Sequence, residues 1–290
     1  MFGANEIVGQ NFFDNAPKDT LMVTSMFTTL QGEGPYSGLP AFFVRLTKCN
    51  LACPWCDTFF DSGDIFTYDQ LEDEIDKRIN HFFNGDEPDW AQSIPEFKTR
   101  QMVLVITGGE PSLQKNLTGF LERMQHVFYK TQIESNGILS IPLPLSTTLV
   151  CSPKCLEKDG KAIRYLAPNT KMLKRANCLK FVMCADQGSP YSSIPDWAFK
   201  WRDNTGNQIF ISPMNIYNQI PQKAKELRAQ KQGKEITLEE RSTVDEVISG
   251  WTEGLLNREQ NQKNHEYSAK YAIKNGFRFG LQIHLWASVA

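Results

Sequence analysis

Gln101-Met-Val-Leu-Val-Ile106, running straight into Thr107-Gly-Gly-Glu-Pro111, is the stretch whose reading decides the fold. A short apolar run ended by Gly and Pro reads as a buried strand. The two glycines let backbone approach a ligand without a Cβ in the way, and the carbonyls there, with Glu110, can accept from a ligand ammonium; an ordinary turn is the plain alternative. Leu113–Tyr129 then reads as a helix, because Leu117, Phe120, Leu121 and Met124 fall on one face. Strand, polar tip and helix together make one βα unit.

The same unit recurs along the chain. Met22–Thr28 and Ala41–Thr47 read as strands separated by a Gly/Pro-rich loop. Tyr68–Phe83 is an amphipathic helix with Leu71, Ile75, Ile79 and Phe82 at helical spacing. Gln132–Glu134, Thr148–Cys151, Leu179–Met183 and Gln208–Ile211 are short strands, and Ile194–Trp201 and Asn261–Asn275 are helical. Phe277–His284 closes the pattern as a strand, which puts Gln282 and His284 on one side of it. Alternating strands and helices predict an α/β fold on a mostly parallel sheet, with ligands at the strand C-terminal ends. Polar motifs at strand tips fit an open or partial (β/α) barrel; a doubly wound sheet gives a similar string.

Two segments interrupt the pattern. Asn84–Arg100 is polar and contains prolines, hence a loop. Asn218–Asn261 alternates Lys and Glu with few large apolar residues, which reads as a solvated helical insertion. An arm that binds a partner or nucleic acid is the alternative for it. The whole, residues 1–290, is expected to be a single domain carrying these two insertions.

At 290 residues, with 41% hydrophobic and 22% charged residues, the composition is that of a globular chain. A net charge of −2 offers no general attraction to nucleic acid or to an anionic membrane. The polar, acidic N-terminal stretch is unlike a signal peptide, and no apolar run reaches membrane-spanning length. Seven cysteines, three of them in one motif, argue for a reducing cytoplasm rather than a disulfide framework.

That motif is Cys49-x3-Cys53-x2-Cys56. Zinc sites usually use two Cys/His pairs far apart, and no equally convincing second pair follows here. Iron–sulfur clusters are held by thiolates, four to a four-iron cluster. Three thiolates would leave one iron open to a substrate. The chemistry most often attached to this spacing is reductive cleavage of S-adenosylmethionine (SAM) to a 5′-deoxyadenosyl radical. Unliganded thiols and a zinc site are the competing readings.

Other strand-tip motifs have plain and functional readings side by side. Glu134-Ser-Asn-Gly137 and Cys151-Ser-Pro-Lys154 suit hydrogen bonds to a ribose and a carboxylate, or are ordinary turns. Arg45, in Phe43-Val-Arg45, suits bidentate capture of a substrate carboxylate or a structural salt bridge. Asp57 and Thr58 offer oxygen ligands for Mg²⁺, or a helix N-cap.

Taken in order, LQGEG, FVRL, CNLACPWCDT, TGGEP, ESNG, SPK, LKFV and QIH resemble the 7-carboxy-7-deazaguanine synthases, from Thr28 to His284. The resemblance implies a partial (β/α)6 radical SAM barrel, a homodimer, and a cytoplasmic lyase of queuosine and 7-deazapurine biosynthesis. It implies a [4Fe-4S] cluster, SAM and Mg²⁺ as cofactors, and a flavodoxin-like or ferredoxin-like electron donor. The implied substrate is 6-carboxy-5,6,7,8-tetrahydropterin, which contracts to 7-carboxy-7-deazaguanine with loss of ammonia. Carried over residue by residue, Cys49, Cys53 and Cys56 hold the cluster and Trp55 lies near the adenine. Gly109 and Glu110 face the SAM amino group, and Ser135, Ser152 and Lys154 its ribose and carboxylate. Thr58 binds Mg²⁺, and Gln31, Glu33, Arg45, Thr107 and His284 line the pterin site. In some members the terminal carboxylate enters that site; this chain ends in Ala290 rather than proline. A glycyl-radical-enzyme activase is the runner-up enzyme, and a non-catalytic Fe–S or zinc module is the alternative of a different class.

Overall fold

The computed structural model describes residues 7–58, 60–84, 99–216 and 257–283. Residues 85–98 and 217–256, which make up most of the two expected insertions, lie outside the described residues, as do His284 and Ala290.

Eleven strands form two sheets among the described residues. They are β1 (Thr20–Leu30), β2 (Pro40–Leu46), β3 (Asp64–Thr67), β4 (Val103–Gly108), β5 (Lys130–Ser135), β6 (Thr148–Cys151), β7 (Cys155–Lys158), β8 (Lys161–Tyr165), β9 (Cys178–Met183), β10 (Gln208–Pro213) and β11 (Arg278–Phe279). The main sheet runs β11-β10-β9-β6-β5-β4-β2-β1-β3. From β2 through β4, β5, β6, β9 and β10 every pairing is parallel, and the two-residue β11 extends the series. Strand order along this run follows chain order without reversal. A doubly wound sheet reverses at a switch point, so the progressive winding selects the partial barrel. β1 and β3 complete one edge in antiparallel pairing.

Alternation along the strands separates two faces. Phe42, Val44 and Leu46 of β2, Leu104 and Ile106 of β4 and Ile133 of β5 point to the helix side. There they meet Leu71, Ile75 and Ile79 of α1 (Tyr68–Asn84) and Leu117, Phe120, Leu121 and Met124 of α2 (Leu117–Met124). Each such side chain, fully buried, stabilises by about 1.5–3 kcal/mol. The layer continues with Met172 of α3 (Thr170–Arg175) and Ala198 and Trp201 of α4 (Asp196–Thr205). The neighbours on each strand, among them Phe43, Arg45, Thr107, Gln132, Glu134 and Lys180, point the other way. The functional groups sit on that inner face.

Four expectations are corrected. The helix expected over Leu113–Tyr129 is a 3-10 turn at Pro111–Leu113 followed by the shorter α2. Gln114 breaks it: its side chain accepts from Met22 N at 2.8 Å and donates to Met22 O at 2.9 Å, and that pairing keeps residue 114 extended. The final strand ends at Phe279, where Gly280 N closes on Ile211 O, so Gln282 lies beyond it. The last expected insertion residues belong to α5 (Arg258–Asn275), capped by Asn257 Oδ1 on Gln260 N at 3.0 Å. Asp57 and Thr58 cap no helix, because β3 is the next element.

The hairpin of β7 and β8 and the helix α3 carry no strong sequence period. The hairpin is held by contacts with Tyr191, whose hydroxyl accepts from Cys155 N and donates to Glu157, both at 3.0 Å. α5 packs Tyr267, Tyr271 and Ala272 against the core and is also held by asparagines. Asn264 accepts from Ala185 N at 2.9 Å and donates to Met214 O at 2.8 Å, while Asn261 accepts from Ile216 N at 2.7 Å.

Candidate active site

One cavity opens on the inner face at the strand C-terminal ends. It is lined by Cys49, Cys53 and Cys56, by Gln31, Glu33, Arg45 and Thr107, by Gly109, Glu110, Ser135, Ser152 and Lys154, and by Trp55 and Thr58. Every site residue read from the sequence lines it except His284, which lies outside the described residues. Glu134, Asn136, Lys180, Asn215 and Gln282 line it too.

The cysteine loop leaves β2 through Lys48, whose φ of 64° turns the chain sharply toward Cys49. Lys48 O accepts from Glu110 N and Leu46 O from Gly109 N, both at 2.8 Å, so the β4 tip is stitched to the start of the loop. A Cβ on Gly109 would overlap the Lys48 carbonyl. The glycine pair therefore serves a close approach of the chain to itself as well as opening on the cavity. The three cysteines are half-buried, and desolvation pushes Cys53 up to about 11 and Cys56 to about 12 and raises Cys49 as well. At Cys53 the nearby Lys154 opposes that rise. Among the described residues no group of three His, Cys, Asp or Glu side chains is arranged to hold a single metal ion. The fit to a cluster rests on three thiols opening on one cavity, the donor chemistry such a cluster takes.

Glu110 is 1% exposed, and its carboxylate is engaged by the protein itself. Oε1 accepts from Ser112 N at 3.0 Å, Ser112 Oγ at 2.5 Å and Ser135 Oγ at 2.7 Å, and Oε2 accepts from Asn136 N at 2.8 Å. Glu110 thus holds the tips of β4 and β5 together while also lining the cavity. Asn136 in turn donates to Asn50 at 2.8 Å, reaching the residue after Cys49.

Lys154 follows β6 and donates to Ser152 O at 2.7 Å and Ser152 Oγ at 2.6 Å. Its ammonium stands 5.7 Å from the Trp55 ring centroid, and Trp55 meets Tyr191 edge-on at 5.6 Å. Burial lowers the Lys154 pKa, and the Cys53 sulfur opposes that shift. The Trp55 indole Nε1 is buried without a hydrogen-bond partner among the described residues. A polar atom left so inside a cavity wall is a place where a bound group gains a bond.

Arg45 lies in register with Thr107 across β2 and β4, and its guanidinium stacks 4.7 Å from the Phe27 ring centroid. Phe27 itself stacks on Phe43 at 5.3 Å. At the rim, Thr58 Oγ1 donates to Asp57 Oδ1 at 3.1 Å, and Gln282 Nε2 donates to Asp57 Oδ2 at 3.2 Å. Gln282 Oε1 accepts from Asn215 at 2.6 Å, so the chain's last described segment is tied to the end of the cysteine loop.

Sequence reading met Glu134 and Lys180 only inside the ESNG and LKFV motifs and gave neither a role of its own. Lys180 is 6% exposed and pairs with Glu33 at 2.9 Å and Glu134 at 2.7 Å. The available signal was a lysine inside the apolar strand Leu179–Met183, which is costly unless paired.

No family model matches the chain. It is 29% identical over 270 residues to the 7-carboxy-7-deazaguanine synthase of Rickettsia prowazekii, spanning 93% of this chain and 88% of that protein. With the 7-carboxy-7-deazaguanine synthase of Rhodospirillum rubrum it shares 32% identity over 231 residues, 73% of this chain and 82% of that one. In fold it is similar to the crystal structure of QueE from Escherichia coli, with a TM-score of 0.50 and 19% identity over 95% of this chain and 99% of that one. The shared length and identity, together with a mostly parallel sheet carrying three cysteines at its mouth, show that the chain belongs to the 7-carboxy-7-deazaguanine synthase family of enzymes.

Proposed function

We propose that this chain converts 6-carboxy-5,6,7,8-tetrahydropterin to 7-carboxy-7-deazaguanine by ring contraction with loss of ammonia. Family membership implies a radical SAM cluster, SAM and a small-molecule substrate. The observation that carries the finer reading is the meeting of the three thiols with Arg45, Glu33 and Gln31 in one cavity. When bound, the cluster with SAM supplies the radical that takes a hydrogen from the carbon bearing the substrate carboxylate.

The protein's own part is placement. Cys49, Cys53 and Cys56 hold the cluster, and Trp55 offers an indole face and an unpaired N–H beside it. Gly109 and Glu110 border the SAM amino group, and Ser135, Ser152 and Lys154 meet its ribose and carboxylate. Arg45, stiffened by Phe27, takes the substrate carboxylate, while Gln31, Glu33 and Thr107 orient the rest of the ring. His284 completes that wall by family resemblance alone. Thr58 is assigned to Mg²⁺; its hydroxyl and the Asp57 carboxylate oxygen stand 3.1 Å apart on one rim, a pair of hard donors suited to that ion.

The wider reading is a single-domain cytoplasmic homodimer, reduced by a flavodoxin-like or ferredoxin-like protein. No helix among the described residues is long and apolar enough to cross a membrane. Family membership leaves the activase and the non-catalytic module without support.

The test is anaerobic. The cluster is reconstituted, dithionite, SAM, Mg²⁺ and the carboxytetrahydropterin are added, and products are read by mass spectrometry. Formation of 7-carboxy-7-deazaguanine is the expected result. Release of 5′-deoxyadenosine with no deazapurine would keep the radical chemistry and refute the substrate.

A further inference from the structure

A lysine buried between two carboxylates on a cavity wall is an unusual expense for a strand. Lys180 lies on β9, where its neighbours Leu179 and Phe181 point to the core, while its own side chain crosses the inner face. Its Nζ is 2.9 Å from Glu33 Oε2 and 2.7 Å from Glu134 Oε2. Glu134 Oε1 accepts from Gln31 Nε2 at 3.2 Å and from Gln132 Nε2 at 3.0 Å, and Gln31 Oε1 accepts from Glu33 N at 3.2 Å. Five side chains from β5, β9 and the loop after β1 are thus tied into one network. Four of them, Gln31, Glu33, Glu134 and Lys180, also line the cavity.

The network is more than packing. An apolar side chain of similar volume would serve a structural strand as well as a buried ion pair or better. Two carboxylates brought together without a cation would share a proton, and one would lose its charge. Other charged or titratable groups face Lys180: Lys154 from the loop after β6, and Cys178 two residues back on β9. Burial alone would lower the Lys180 pKa, but Glu134 and then Glu33 outweigh it and raise it, so the ammonium is charged throughout the neutral range.

We propose that Lys180 is a positioning residue of the substrate site, holding Glu33 and Glu134 together as anions that accept the N–H edge of the substrate's aminopyrimidinone ring. This rests on the pterin reading given above. Such an edge carries an exocyclic amino group beside a ring N–H, two donors that a pair of neighbouring carboxylates can take one each. Arg45 stands on β2, two strands from Glu134, or about 10 Å along the sheet. The cavity wall thereby offers anions for the ring's donors and a guanidinium for its carboxylate. Lys180 also offsets the repulsion that two bare carboxylates would exert on an anionic substrate.

The experiment compares the reconstituted full chain with Lys180→Met and Lys180→Arg. Iron content and melting temperature report folding. KM for pterin and for SAM are measured separately, the pH profile of kcat/KM is recorded, and binding of 7-carboxy-7-deazaguanine is followed by calorimetry. Lys180→Met is expected to raise the pterin KM roughly 10- to 100-fold and weaken product binding in parallel. It should leave the SAM KM within about twofold and move the acid limb of kcat/KM to higher pH. Lys180→Arg, which keeps the charge, should restore most of the pterin affinity. An unchanged pterin KM and acid limb in Lys180→Met would overturn the proposal, as would equal rises in both KM values.

If Lys180→Met does not fold, the double variant Lys180→Met/Glu134→Gln removes the stranded carboxylate. It is expected to fold and still bind pterin and product poorly; wild-type affinity there refutes the role. A wild-type enzyme that makes no 7-carboxy-7-deazaguanine sinks the functional reading and this proposal with it. An active wild type matched by Lys180→Met sinks only the proposal.

Discussion

The carboxylate of Glu110 receives the backbone N–H of Asn136 at 2.8 Å, so the tip of β4 is tied to the tip of β5 through one side chain. The bond joins two strand ends that both border the cysteine loop, because Glu110 N reaches Lys48 O and the Asn136 side chain reaches Asn50. Removing that carboxylate strands several buried donors at once. Glu110→Ala is expected to cost about 3 kcal/mol, measured by denaturant unfolding of the metal-free chain. A loss below about 1 kcal/mol would show that the carboxylate serves a ligand and not the scaffold.

Gly109 tests the same seam from the backbone. In Gly109→Ala the new methyl overlaps the Lys48 carbonyl, so the end of β2 must shift and Cys49 with it. Lower iron uptake on reconstitution is expected, together with a lower melting temperature. Wild-type iron content in this variant would show that the loop adapts freely.

Cys53→Ala should abolish both the cluster and turnover, since a site with three protein thiolates spares none. Iron and sulfide analysis with a product assay decides it. Full activity in this variant would remove Cys53 from the cluster.

Arg45→Ala is expected to raise the pterin KM by roughly 10- to 150-fold, the equivalent of about 1.5–3 kcal/mol for a charged hydrogen bond. The SAM KM should move far less. Arg45→Lys should recover little, because an ammonium cannot make the bidentate contact. Parallel changes for both substrates would count against carboxylate capture.

Half-buried His265, on α5 against Asn215, has its pKa lowered by burial. The unfolded chain therefore binds its proton first on acidification, so the folded state loses stability as pH falls through and below about 6.5. The melting temperature should drop between pH 7.5 and 5.5. His265→Gln should reduce that drop, and an unchanged slope would place the titration elsewhere.

Much of the scaffold was legible along the chain. Val103–Gly108 and Thr148–Cys151 are apolar runs too short for helices, and Leu71, Ile75 and Ile79 repeat at helical spacing, so local period alone identified them. The cysteine spacing and the strand-tip motifs likewise marked the residues that line the cavity, because strand C-terminal ends converge in this class of fold.

What the chain could not show locally is pairing across distance. Gln114 reading as helical yet bonding Met22, the hairpin at Cys155–Tyr165 hung on Tyr191, and α5 docking by Asn261 and Asn264 each depend on partners tens of residues away. Glu110 belonged to a turn motif in sequence, but only the folded sheet turns it into the tie between two strands. Lys180 is the sharpest case. Its sequence position marks it as a cost, and only the barrel's curvature brings Glu33 and Glu134 close enough to offset that cost. Sequence alone determined most of the strands and helices and which residue types stand at the strand tips, while the order of winding came from the folded sheet. Tertiary structure decided which charges meet, because a Coulomb contact depends on distance through space and not on separation along the chain.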